Sequence, residues 1–304
     1  MSLATCHSLL ATRAELELRD LMARIIAPRE RLTVDEWAEK YRRLPSAGNS
    51  EPGPLSMDRT PYARGPARAF TDPDVDEITI AFASQTAKTT TVSSMIGWVV
   101  DYDPSAVMYM WPNEDVAARF NTKFFSPGVR ESPRLAALLS STAAKDTKTL
   151  EVNFQGCTVY FVGSGSDSPA RGISIKYIFA DDIEAAEFDL ERLDDLRQRR
   201  NAWPGGKFVK ISVPGMAHTG IDAELRVSRV FRYWVPCPHK ECGEFQFLRW
   251  ANVKWEGGAS PANAEHARRT AVYACEKCGG VIHEYHKAEM LRCGVWVAEG
   301  QAVE

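Results

Sequence analysis

Residues 75–90 read VDEITIAFASQTAKTT, and how this stretch divides decides the fold. The apolar run 78–83 (ITIAFA) has the composition of a strand, residues 84–87 are small or polar, and a helix opens at Lys88-Thr89-Thr90. Strand, loop and helix in that order make a phosphate-binding loop. Backbone N–H groups and the helix N-terminus converge on an anion, a lysine reaches the terminal phosphates, and the next hydroxyl reaches magnesium. The candidates are Gln85, Thr86, Ala87, Lys88, Thr89 and Thr90. Two positions depart from the usual pattern: Ala87 stands where glycine precedes the lysine, and Phe82 stands where a small residue is usual. A left-handed backbone at Ala87 would cost roughly 1 kcal/mol. The alternative reading of the stretch is a strand end and helix cap rich in Ser and Thr.

A nucleotide site needs a second half, because magnesium takes a carboxylate and the attacking water needs a base beside the γ-phosphate. The strand 174–180 (SIKYIFA) supplies it by running into Asp181-Asp182. Asp182 occupies a place where Glu is common, and the missing methylene moves the carboxylate by about 1.5 Å. Hydrolysis therefore asks more of this site than binding does.

Working outward, 89–101 reads as a mostly apolar helix and 106–111 (AVMYMW) as a buried strand. Asn113 caps a helix through Phe125, with Glu114 and Asp115 suiting the dipole of its first turn. Residues 150–154 and 158–162 form a hairpin around Gln155-Gly156-Cys157. A polar helix (FDLERLDDLRQRR) precedes the strand 207–213. Upstream, 11–26 and 34–41 have helical spacing, the second behind a Thr33 cap, and 44–68 is dense in Pro, Gly and Ser, which predicts an extended segment. Strands alternating with helices predict an α/β fold with a mainly parallel sheet flanked by helices.

From about Ser228 the chain changes to short aromatic-rich strands around cysteines. Cys237-x4-Cys242 and Cys275-x2-Cys278 give four thiolates in two knuckles, the ligand set of a structural zinc ion. Gly243 and Gly279 follow the second cysteine of each pair, where a tight turn is needed. His239 is a substitute ligand, and independent buried or redox thiols are the alternative. A closed four-cysteine site has no open position for catalysis. The expected division is a helical N-terminal arm (1–70), an α/β core (71–222) and a zinc-ribbon subdomain (223–304), with the last boundary near 220–228.

At 304 residues, with 44% hydrophobic and 25% charged residues, the chain is an ordinary globular one, and its apolar runs are too short to span a membrane. Early acidic residues speak against a secretory signal and predict a cytoplasmic protein. The net charge of −3 does not advertise nucleic-acid binding, so DNA would need a local basic surface. Arg192, Arg197, Arg199, Arg200, Lys207 and Lys210 are candidates for one, against the alternative of a solvated helix face. His218, His283 and His286 receive no role.

The order of motifs, WAEKYRRLPSAGNSEPGPLSMDRTPYARGP, ASQTAKTT, WPNEDVAARF, YIFADDIEAAE, SVPG, VPCPHKEC with YACEKCGG, and KAEMLRCGVW, resembles the large subunit of tailed-phage DNA-packaging terminases of the lambda-like type over about residues 34–298. The resemblance implies a P-loop NTPase (RecA/helicase-like) fold and an ATP-driven motor that moves double-stranded DNA into a procapsid. Its implied partners are DNA, a small terminase subunit, the portal ring and further copies of itself. It implies that Gln85 to Thr90 hold the phosphates and magnesium, that Asp181 binds metal and that Asp182 activates water. It also places Arg59 to Tyr62 (RTPY) beside the adenine base, Arg171 near the γ-phosphate or a neighbouring subunit, and Ser212-Val213-Pro214 as the motif coupling hydrolysis to movement. Family members continue into a nuclease domain, and no carboxylate cluster for two-metal cleavage can be assigned before residue 304. The expectation is an ATPase of phage or prophage origin using ATP, Mg2+ and a structural Zn2+. The competing readings are a non-hydrolysing prophage remnant and a zinc-ribbon DNA-binding module without nucleotide.

Overall fold

The apolar runs become the strands of one six-stranded sheet. In the computed structural model, which describes residues 15, 18–19, 22, 30–46, 49, 51–140, 149–166, 174–257 and 263–303, helix α1 (Val34–Tyr41) is followed by a short ladder of β1 (Arg43–Leu44) and β2 (Gly53–Pro54) and by α2 (Arg64–Thr71). Then come β3 (Glu77–Ala81), α3 (Lys88–Tyr102), β4 (Val107–Trp111), α4 (Glu114–Phe120), α5 (Ser126–Glu131) and α6 (Pro133–Ala136). The hairpin β5 (Glu151–Phe154) and β6 (Cys157–Gly163) leads to β7 (Tyr177–Asp181), α7 (Arg192–Asn201), β8 (Lys207–Ser212) and α8 (Gly220–Arg226). The sheet order is β3-β8-β7-β4-β6-β5, parallel except for the edge pair β6–β5.

Every residue of β4, β7 and β8 is buried, as a parallel sheet covered on both faces requires. The period of two sorts the side chains. Met108, Met110, Ile178, Ala180 and Phe208 join Leu193 and Leu196 of α7 and Ile221 of α8 in one core. On the opposite face, Tyr109 and Phe179 have ring centroids 6.0 Å apart, and Phe70 of α2 lies 5.8 Å from Phe179. Asp181 lies in alternation with Phe179 and Tyr177, so the strand's own pleat sends its carboxylate to this second face.

The expected caps hold: Asn113 Oδ1 accepts from Val116 N at 3.0 Å, and Thr33 with Glu36 forms a capping box on α1. The helix from Asn113 runs through a π turn at Asn121–Phe125. Within 44–68 the structure differs from a purely extended segment, since α2 already begins at Arg64. Pro66 falls in its first turn, where a missing N–H costs nothing, and Ala67 and Phe70 bury its inner side. Of the helix expected over 11–26, Glu15, Leu18, Arg19 and Met22 are described and helical; the remainder lies outside the described residues.

Residues after α8 form β9 (Phe231–Pro236), β10 (Phe245–Phe247), β11 (Val253–Lys254), α9 (Ala264–Thr270), β12 (Val272–Ala274), β13 (Val281–Ile282), α10 (Lys287–Arg292) and β14 (Val295–Ala298). They build two small antiparallel sheets, β10-β9-β14 and β11-β12-β13. Residues Thr33–Glu304 make one compact unit and Met1–Leu32 a second. No described helix is long and apolar enough to cross a membrane.

Candidate functional site

Parallel strands end on the same side, so the loops after β3, β7 and β8 meet there. The register is tight: Ala81 stands opposite Ser212 and Ile211 opposite Asp181. Two loop bonds extend the ladder, Phe82 N to Ser212 O at 3.2 Å and Asp182 N to Ile211 O at 3.0 Å. The phosphate-loop candidate, the acidic pair and the SVPG stretch, dispersed over 130 residues of sequence, are thus brought side by side.

The loop turns through left-handed backbone at Gln85 (φ 59°) and Ala87 (φ 62°), and Ala87 is the N-cap of α3. The cost anticipated for an alanine at this position is therefore incurred. The first-turn N–H groups of α3 have no intrahelical acceptor. Lys88 Nζ hangs over the loop, 3.4 Å from Ala83 O. Phe82 has a tertiary reason for its size. Its ring lies 5.5 Å edge-on from Tyr62 and stacks at 6.3 Å on Trp296 of β14, whose indole N–H donates to Tyr62 O at 2.9 Å. Tyr233 closes this cluster at 5.4 Å from Trp296. The segment carrying Tyr62 is thereby held against the start of the loop, while Arg59 is exposed and paired with Glu51 at 2.9 Å.

Asp181 is 2% exposed. Its Oδ2 accepts from Tyr109 Oη at 2.7 Å and its Oδ1 from the N–H of Asp182 at 2.8 Å. Burial lifts its carboxyl to about 7, Asp182 adds to the rise, and the Tyr109 bond, the Asp182 N–H and the charge of Lys88 pull the other way. Asp182 itself sits in left-handed backbone (φ 54°), which Asp tolerates better than most residues. This twist leaves Asp182, and not Asp181, bordering a cavity of about 360 Å³ together with Thr89 and Thr90. Thr89, Asp181 and Asp182 offer the hard oxygen donors that magnesium prefers, so the donor set fits that ion.

Sequence reading had not singled out Tyr109 or Glu184. Glu184 N donates to Ser212 Oγ at 3.3 Å, and its Oε1 accepts from Ile221 N at 2.6 Å. A Cβ on Gly215 or Gly220 would lie 2.1 or 2.3 Å from the Glu184 carboxylate, so the segment after Ser212 wraps around it. Val213 is exposed on that segment. Arg171 lies outside the described residues.

The basic cluster is largely engaged within the protein. Arg197 bonds Glu77 at 2.8 Å, Asp194 at 2.5 Å and Glu224 at 2.9 Å, and Arg200 pairs with Asp76 at 3.2 Å. Lys210, 1% exposed, is held between Glu77 and Glu224, and Lys207 donates to the carbonyls of Asp72 and Val75. These bonds stitch α7 and α8 to the sheet, which corrects the reading of Arg197, Arg200, Lys207 and Lys210 as a DNA-tracking surface. They also make α8, inside the expected 220–228 boundary, part of the core.

The four cysteines of the two knuckles converge. All their Sγ atoms lie within 4.8 Å of one another, with Cys237–Cys278 and Cys242–Cys275 both at 3.9 Å. Tetrahedral zinc with ligands at about 2.3 Å needs sulfurs about 3.8 Å apart, so the set fits. Gly243 (φ 59°) and Gly279 (φ 69°) take the left-handed turns expected of them. His239 Nδ1 is 3.2 Å from Cys237 Sγ, and Gln246, 3% exposed, donates to Cys275 Sγ at 3.5 Å.

A family model described as "Phage terminase large subunit gpA, ATPase domain" matches residues 49–296. The chain belongs to that family. Among solved structures, the HK97 bacteriophage large terminase aligns with TM-score 0.50 at 13% identity, covering 63% of this chain and 40% of that one. The large terminase ATPase domain of Thermus phage P74-26 aligns with TM-score 0.34 at 16% identity, over 46% of this chain and 61% of that one. The HK97 likeness shows the α/β fold; this chain spans less than two thirds of the length of either matched chain. No curated protein matches.

Proposed function

We propose that this terminase ATPase domain hydrolyses ATP and uses the energy to move double-stranded viral DNA into a procapsid. The observation that carries the reading is the convergence of Lys88, Thr89, Asp181-Asp182 and Ser212 at the ends of three adjacent parallel strands. Lys88 and the N-terminus of α3 offset phosphate charge, and Gln85 to Thr90 cradle the phosphates. Thr89 and Asp181 hold magnesium, which when bound supplies charge neutralisation of the β- and γ-phosphates. Asp182, on the cavity side, orients the water and takes its proton as the water oxygen bonds to the γ-phosphorus and ADP leaves with the bridging oxygen. Tyr62 and Arg59 lie toward the base, and Arg171 is assigned to the γ-phosphate of its own or a neighbouring subunit. The bonds from Glu184 to Ser212 and Ile221 support Ser212-Val213-Pro214 as the coupling element, because a shift at Asp182 is felt two residues later by the segment wrapped around Glu184.

In the same reading, Cys237, Cys242, Cys275 and Cys278 hold a structural zinc, and 223–304 is a ribbon subdomain on the 71–222 motor, with 1–70 as its arm. The working assembly is a homo-oligomer with DNA, a small terminase subunit and the portal, in the host cytoplasm. The test is ATP turnover with magnesium and linear duplex DNA, for the chain and Lys88→Ala. DNA-stimulated turnover abolished by the substitution is the expected result. Nucleotide binding without turnover would mark a silent domain, and absence of nucleotide binding would refute the ATPase reading for this chain.

A further inference from the structure

The cavity lined by Thr89 and Asp182 is lined also by two arginines that the hydrolytic site does not use. Arg42, at the end of α1, is 7% exposed. Its Nη1 donates to Thr90 O and Ser94 Oγ, each at 2.8 Å, which fixes the guanidinium against the first turns of α3. Among the described residues no carboxylate pairs with it, and burial alone pulls it down to about 10. A buried cation without a counter-charge is costly, and an anion in the adjoining space relieves that cost. Arg119, on α4, is exposed at the same cavity, and its guanidinium has no hydrogen-bond or ion-pair partner among the described residues. Trp111 lines the same cavity, 6% exposed, with its indole N–H buried and unpartnered among the described residues.

We propose that this cavity is a second anion site, for inorganic phosphate, with Arg42 and Arg119 as its recognition residues. It rests on the hydrolysis reading only for the origin of the phosphate. The γ-phosphoryl group, once bonded to the water oxygen and separated from ADP, moves from Lys88 toward the two guanidiniums, which form charge-assisted bonds to its oxygens. The Asp182 carboxylate, which also lines the cavity, disfavours an anion close to it and leaves the two guanidiniums as the favourable partners. About 360 Å³ accommodates phosphate with several waters.

The test is equilibrium binding of inorganic phosphate to the full chain, with saturating magnesium and ADP so that the loop is occupied, and again without nucleotide. One phosphate per chain is expected. Arg119→Ala, at an exposed position, weakens it tenfold or more with ADP affinity unchanged, and Arg42→Lys, which keeps the charge but loses the fork, weakens it similarly. Lys88→Ala loses ADP yet still binds phosphate. Failure of the wild-type chain to bind phosphate, wild-type phosphate affinity in both arginine variants, or loss of phosphate in Lys88→Ala alone overturns the proposal, the last by placing the ion in the loop. If ADP does not bind while phosphate binds and depends on the arginines, the anion site stands and the hydrolysis reading falls.

Discussion

Asp181→Asn makes the ligand-free protein more stable and, on the proposed mechanism, inactive. The Asp181 carboxyl is raised from 3.8 to about 7, chiefly by burial. The folded state therefore holds that proton more tightly than the unfolded chain. The stabilisation this gives is complete below about pH 4 and is lost as pH rises through 7. With those two values the penalty of ionising the buried group is about 2 kcal/mol at pH 5 and about 4 kcal/mol at pH 8. Asparagine removes the titration and keeps both bonds, since its oxygen accepts from Asp182 N and its amide faces Tyr109 Oη. Urea unfolding of both proteins at pH 5 and pH 8 isolates the effect, because all other titrating groups cancel in the difference. The variant is expected to gain about 2 to 3 kcal/mol over wild type on going from pH 5 to pH 8. A stability difference that does not change with pH would refute the argument that Asp181 is held at the site against its ionisation.

Ala87→Gly relieves a left-handed alanine and should raise stability by about 0.5–1 kcal/mol, read as a higher urea midpoint at unchanged slope. Lys210→Met leaves Glu77 and Glu224 with Arg197 as their one shared cation and should cost about 3 kcal/mol, with part of it recovered in the Lys210→Met, Glu224→Met double variant. The purified chain should carry one zinc, released in full on thiol modification. Cys275→Ser should lose it and expose residues 237–282 to protease while α3 and its sheet remain protected.

Much of the core was legible because its signals are local. The strand expected at 78–83, found at Glu77–Ala81, the helix opening at Lys88, the Asn113 cap and the hairpin at Gln155-Gly156 each rest on a few neighbouring residues. The cysteine knuckles were legible for the same reason: spacing and a following glycine set each turn, although only the fold brought the two pairs within 4.8 Å. The basic run stayed open between a DNA surface and a solvated helix face because charge in sequence does not reveal its partners. Glu77 lies 120 residues from Arg197, and only the β3–β8 pairing brings them together.

The sequence by itself determined which residue types were available for phosphate, magnesium and zinc, while the β4–β7 register put Tyr109 on the face of Asp181. Tertiary structure decided their chemistry. Burial beneath α3 and the bond to Tyr109 tune Asp181, the left-handed turn at Asp182 hands the cavity to the second carboxylate, and Phe82 is large because Trp296, more than 200 residues away, stacks on it. Desolvation and packing depend on atoms distant in the chain, and no reading of neighbours along the sequence contains them.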